Sequence, residues 1–316
     1  MNATNVLPRP GIARGLLRTA VGRVECQLTG GDGPVVLASH AGLGGVDQAR
    51  VLLNWIDPGS YRLLSVSRPG YLGTPLESGR SFAQQADLFA ALLDTLGVEK
   101  AAVVTLSAGG PAGYLFAIRH PDRIRALIAI DSASGRHEVP ETAGALAQTL
   151  FMSEWGQKLT RLVLRKRPEW FLRQMLRGTA YFTKRQLDEH VDHALASPRA
   201  RSFIASFTAT MFPYRPRRAG TENDTEQLRC LAPLPLEQVR CPTLIVHGTH
   251  DADVKFHHGV FAHEHTPHAE RYWIDEGDHL GFWLSPRAEE AQDIARDFLR
   301  RHCGVARHGP AARVSP

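Results

Sequence analysis

The stretch Thr105-Leu106-Ser107-Ala108-Gly109-Gly110 sets one hydroxyl among small residues. Upstream, 101–104 is apolar and partly β-branched, as a buried parallel strand requires. Downstream, 111–120 reads as a helix that Pro121 closes. A strand that turns sharply into a helix through small residues lifts the middle side chain clear of the backbone. It also aims the first free N–H groups of the helix at whatever binds there. Ser107 is therefore a candidate nucleophile for acyl chemistry. A serine hydroxyl needs a base to take its proton, and the base needs an acid to orient it. Two later strand ends offer both. His247-Gly248-Thr249-His250-Asp251 follows the strand 243–246, and Gly277-Asp278-His279 follows the strand around Trp273. The order Ser107, Asp251, His279 is one of three familiar orders for such a relay.

The acid has two competitors. Asp253 sits in the same loop as Asp251, and Asp131 follows the strand 126–130. The Gly-x-x-Asp spacing from Gly248 favours Asp251. Asp131 could equally cap a turn, and Asp278 reads as a solvated turn residue. His247, His250, His257, His258, His263, His265 and His268 cluster in sequence, but their spacing fits no ligand motif. They are expected at the surface, with no functional metal.

These residues need a scaffold that brings strand ends together. Apolar strands at 35–38, 63–66, 101–104, 126–130, 243–246 and around Trp273 alternate with helices. That pattern predicts a mostly parallel sheet with helices on both faces, an α/β fold. The clearest helix spans 81–96, with Ser81 and Gln84 as a capping box and Gly97 as the stop. Between 134 and 231 the strand signals vanish, and helical stretches rich in Arg, Trp and Phe break at Pro168, Pro198 and Pro213. The domains expected are a core of 1–133 and 232–303, a helical lid at 134–231, and a disordered tail at 304–316.

Four blocks at these strand ends carry a resemblance to a known family. They are Ser39-His40-Ala41-Gly42, then Ser67-Arg68-Pro69-Gly70-Tyr71-Leu72-Gly73-Thr74, then the Ser107 turn, then Asp251 with Gly277-Asp278-His279. In this order they resemble the α/β-hydrolase fold superfamily, over roughly 30–135 and 240–300. The resemblance implies Ser107 as nucleophile, His279 as general base and acid, and Asp251 as the orienting carboxylate. It also implies an oxyanion hole from the backbone N–H groups of Ala108 and Gly42. Losing one such donor typically costs about 3–4 kcal/mol. Two positions depart from the family pattern: Thr105 stands where the turn usually opens with glycine, and Ala41 stands in the His-Gly pair. A serine at position 107 argues against the branches that attack with a carboxylate.

The whole chain narrows the function further. Its 316 residues are 43% hydrophobic and 22% charged, with a net charge of +5, which does not demand nucleic acid. The four cysteines are spread without a C-x-x-C pair, which suits a reducing, cytoplasmic setting. No stretch reaches transmembrane length. The expectation is a serine hydrolase without a cofactor, monomeric or homodimeric, acting on small apolar or aromatic esters or lactones. Membrane and nucleic acid are not expected as partners. The same three residues would also serve a C–C bond hydrolase, a cofactor-free perhydrolase, or a slow-turnover ligand-binding receptor.

Overall fold

The structure is a computed structural model that describes residues 14–137 and 153–304. The expected tail therefore lies outside the described residues, apart from Gly304. Eight strands form one sheet: β1 (Gly15–Arg18), β2 (Arg23–Gly30), β3 (Val35–Ser39), β4 (Arg62–Val66), β5 (Ala101–Leu106), β6 (Ile124–Ile130), β7 (Thr243–Gly248) and β8 (Glu270–Ile274). Their order is β1-β2-β4-β3-β5-β6-β7-β8. β1 and β2 pair antiparallel with each other, β2 pairs antiparallel with β4, and every later pairing is parallel.

The core follows from the period-2 geometry of the strands. Val36, Ala38, Val104 and Leu106 join one apolar cluster, with Leu52 of α1 (Val46–Leu52) and Phe298 of α11 (Ala288–Cys303). Val35, Leu37 and Val103 join the other, with Phe89 of α2 (Phe82–Thr95) and Phe116 of α3 (Gly110–Arg119). All six residues of β5 are buried, because helices cover both faces. Helix α2 starts at the expected capping box: Gln84 N–H donates to Ser81 Oγ at 3.2 Å, and Ser81 N–H donates to Gln84 Oε1 at 3.0 Å. Gly97 then takes a φ of 63° and ends it.

Between β6 and β7 lie five described helices: α4 (Glu154–Lys166), α5 (Pro168–Thr179), α6 (Lys184–Ala196), α7 (Pro198–Ala209) and α8 (Arg218–Cys230). Pro168 and Pro198 stand at helix starts, where a missing N–H is harmless. The inserted helices share a core with the sheet domain: Leu172, Leu187, Val191 and Phe203 pack in the cluster that holds Leu284. Phe203 stacks on Trp283 with ring centroids 4.8 Å apart. Two short helices, α9 (His257–His265) and α10 (Gly281–Leu284), flank β8. No helix among the described residues is long and apolar enough to cross a membrane.

Candidate active site

The chain turns at the carboxyl end of β5. Ser107 takes a φ of 56°, in the left-handed region that L side chains avoid. Such strain costs roughly 1–3 kcal/mol and persists only when the surroundings impose it. Here they do. Ser107 N–H donates to Asp131 O at 3.1 Å, and Ala133 N–H donates to Ser107 O at 3.2 Å. A Cβ at Gly109 would fall 2.4 Å from Ser39 O, and one at Gly110 would fall 2.6 Å from Ser132 Cβ, so only glycine lets the turn close. Thr105 is accommodated from the facing helix. A Cβ at Gly113 would lie 2.3 Å from its methyl, so the glycine at 113 makes room for it. Ser132 Oγ donates to Ile130 O at 3.0 Å, so the 2.8 Å contact between Thr105 Oγ1 and Ser132 Oγ has Thr105 as donor.

Loops at the ends of β7 and β8 bring the imidazole and its carboxylates together. His279 Nδ1 lies 2.8 Å from Asp251 Oδ2. Asp251 accepts, so Nδ1 carries the proton and Nε2 faces outward as the basic nitrogen. Asp253 N–H donates to Asp251 Oδ1 at 2.8 Å, which locks the acid. The Asp253 side chain turns the other way, with Oδ2 at 3.6 Å from His279 Nε2. Burial pulls the His279 pKa down, but the carboxylates of Asp251 and Asp253 outweigh it and hold the imidazole above its ordinary value.

Asp131 lies at the end of β6, fully buried, and its Oδ1 accepts Gly248 N–H at 2.8 Å. Burial and the charge of Asp251 push its carboxyl well above the usual range. His247 lies 3.9 Å from Asp131 and 3.6 Å from Asp251. These three residues could offer ligand atoms to a cation. The chemistry argues otherwise. His247 Nε2 lies 2.8 Å from Val254 O, which can only accept, so that nitrogen bears a proton. Asp251 is already engaged by His279.

Three expectations need correction. His247 and His258 are buried rather than superficial. His247 belongs to β7 itself, and burial drives its pKa to about 3. His258 lies on the inner side of α9, where its Nδ1 accepts Ser134 N–H at 3.3 Å and burial likewise holds its pKa near about 3. Asp278 is fully buried instead of solvated, because the chain folds inward there toward α10, with Gly281 N–H donating to Asp278 O at 2.9 Å.

The loop after β3 carries Gly42, whose missing side chain faces open space. Its neighbouring carbonyls are tied down by two buried arginines. Arg68 Nε donates to His40 O at 3.0 Å, while its Nη atoms reach Asp224 Oδ1 at 2.8 Å and Oδ2 at 2.6 Å. Tyr71 OH donates to the same carboxylate at 2.6 Å. Arg217 donates to Gly44 O at 2.5 Å and pairs with Asp47 at 2.6 Å. His40 is fixed as a neutral tautomer: its Nδ1 donates to Ala41 O at 2.6 Å and its Nε2 accepts Arg68 N–H at 3.0 Å. Asp224 and Arg217 escaped the sequence reading. They lie about a hundred and fifty residues or more from their partners, and no spacing links them.

Comparison with known proteins follows the same outline. The profile of the family described as alpha/beta hydrolase fold matches residues 34–286. An alpha/beta hydrolase fold protein from Nakamurella multipartita has a similar solved structure, with a TM-score of 0.86 and 34% identity, covering 91% of this chain and 99% of that one. An uncharacterized hydrolase of Bacillus subtilis is 28% identical over 286 residues, 88% of this chain and 95% of the relative. A protein of Burkholderia vietnamiensis named 2-hydroxy-6-oxononadienedioate/2-hydroxy-6-oxononatrienedioate hydrolase is 24% identical over 296 residues, 85% of this chain and 93% of the relative.

Proposed function

We propose that this chain, which belongs to the alpha/beta hydrolase fold family, is a serine hydrolase of small esters or lactones. The observation that carries the reading is the left-handed Ser107 at the strand-to-helix turn. Strain of this kind is kept where a side chain must be presented. The 2.8 Å contact of His279 Nδ1 with Asp251 supports it, since it leaves Nε2 as the basic nitrogen.

In this reading Nε2 of His279 takes the Ser107 proton as Oγ attacks the substrate carbonyl. Asp251 orients the ring and stabilises the imidazolium. The N–H groups of Ala108 and Gly42 receive the developing oxyanion, held in advance so that little reorganisation remains. Nε2 returns its proton to the leaving oxygen as the acyl–oxygen bond breaks. Water then attacks the acyl-enzyme, passes its proton through Nε2, and Ser107 is regenerated. The five inserted helices act as a lid that bounds the substrate, and their aromatic residues suit an apolar or aromatic acyl group. No step calls for a cofactor.

Ser107→Ala tests the mechanism. It is expected to lower turnover of p-nitrophenyl acetate by about 10⁴-fold or more and to abolish labelling by a fluorophosphonate. Full activity and labelling in that variant would end the reading. A second reading keeps the three residues and changes the bond, to a carbon–carbon bond beside a carbonyl. The relative named for an oxononadienedioate substrate favours it. A panel that sets vinylogous diketones beside esters separates the two.

A further inference from the structure

One carboxylate beside His279 has no part in the proposed reaction. Asp253 is anchored by its own N–H to Asp251 Oδ1 at 2.8 Å, and its side chain lies on the far side of the imidazole. Its Oδ2 stands 3.6 Å from Nε2, the nitrogen that must serve Ser107 and the leaving group. That distance is longer than a hydrogen bond, so Nε2 keeps its free direction. Asp251 and Asp131 are sealed from solvent, whereas the Asp253 side chain is 31% exposed. Of these three carboxylates it is the one an entering molecule can reach.

Its other near neighbour is a histidine. Oδ1 faces His137 Nε2 at 4.0 Å. His137 is buried, its backbone N–H donates to Leu228 O at 3.0 Å, and burial lowers its pKa against the pull of Asp253, which disfavours a charge on the ring. Among the described residues no lysine or arginine lies within ion-pair distance of Asp253. Nε2 must come within hydrogen-bond reach of the leaving oxygen to protonate it. The atoms one or two bonds beyond that oxygen therefore pass beside Asp253.

We propose that Asp253, backed by His137, forms a leaving-group subsite for alcohols that carry a positive charge close to the ester oxygen. It disfavours alcohols that carry a carboxylate there. The inference rests on the Ser107–His279 reading and extends it to substrate class. A fixed, partly desolvated carboxylate attracts a nearby cation and repels an anion, and specificity is the difference between the two.

The test measures the rate at which Ser107 is phosphonylated by three reagents that differ only in the thiol they release. One thiol carries a trimethylammonium group, one its neutral tert-butyl isostere, and one a carboxylate. The wild-type chain is expected to react at least about tenfold faster with the cationic reagent than with the anionic one, equivalent to about 1.4 kcal/mol. The neutral reagent should fall between them. Asp253→Asn should compress the ratio to within about threefold, and Asp253→Ser should do the same. Changes at Ser107 or His279 affect all three reagents alike and cancel in the ratio. Equal wild-type rates, a preference for the anion, or a ratio unchanged in both variants would overturn the subsite. Absence of labelling by every reagent would remove the Ser107 reading, and the subsite with it.

Discussion

The imidazole of His279 is held between two carboxylates, one on each nitrogen. That arrangement has a sign. Protonation is favoured by Asp251 and Asp253, so in the proposed reaction His279 cannot take a proton until the pH rises past a value above the ordinary imidazole value of about 6.5. The acid limb of a kcat/KM profile is therefore expected above that value, with activity climbing as pH increases. Asp253→Asn should move the limb to lower pH. A wild-type limb at or below about 6 would contradict the reading. At this scale the sequence was informative about position and silent about direction. The places of Ser107, Asp251 and His279 after β5, β7 and β8 were legible because those strands are rich in β-branched and aromatic residues. Which nitrogen Asp253 would face depends on the turn after Asp251, and no residue pattern encodes that. The burial of His247 was equally hidden, since a polar residue at the end of β7 reads like the start of a loop.

Elements explain how an irregular turn is tolerated. β5 and α3 touch where Thr105 meets Gly113, and the two residues share one volume. Gly113→Ala should therefore lose about 1–3 kcal/mol of stability through overpacking. Thr105→Ser removes the methyl and should restore most of that loss. Urea denaturation of both single variants and the double variant measures the coupling, and additive effects would refute the shared volume. The capping box before α2, the breaks at Pro168 and Pro198, and the parallel strands were legible because each rests on local chemistry. β1 and β2 were not identified. Val24, Cys26 and Leu28 alternate with Glu25 and Gln27 in β2, the period of a strand with one buried face. Glu25 is itself nearly buried, and its carboxylate accepts Ser67 Oγ at 2.8 Å and Gly73 N–H at 3.0 Å. A charged residue satisfied by a distant loop looks, in sequence, like a solvent-facing one.

For the molecule as a whole, the four cysteines give a direct readout of the packed core. Cys230 is exposed, whereas Cys26, Cys241 and Cys303 are buried. Burial pushes their thiols up, to about 12 for Cys26 and about 11 for the other two, away from the reactive thiolate. A thiol-specific chromogen at pH 8 is expected to count one group per native chain and four in guanidinium chloride. More than one rapid reaction in the native state would show that the sheet's flanks open easily. The succession of strands β3 to β8 along the chain and the presence of helices between β6 and β7 were readable from composition and periodicity. The joining of that stretch to the sheet was not, because it depends on contacts between remote segments.

Those contacts are placed at opposite poles of the proposed reaction. Ala252 N–H donates to Thr179 O at 3.0 Å and Tyr181 N–H donates to His250 O at 2.9 Å, beside the acid. At the other pole, Asp224 of α8 is the only carboxylate that hydrogen-bonds the buried guanidinium of Arg68 among the described residues. The helical stretch is thus not a removable ornament. Cutting out 154–231 would strand a cation in the interior, a defect that typically costs about 3–5 kcal/mol. An engineer seeking a minimal version of this protein would have to replace Arg68 before trimming anything else.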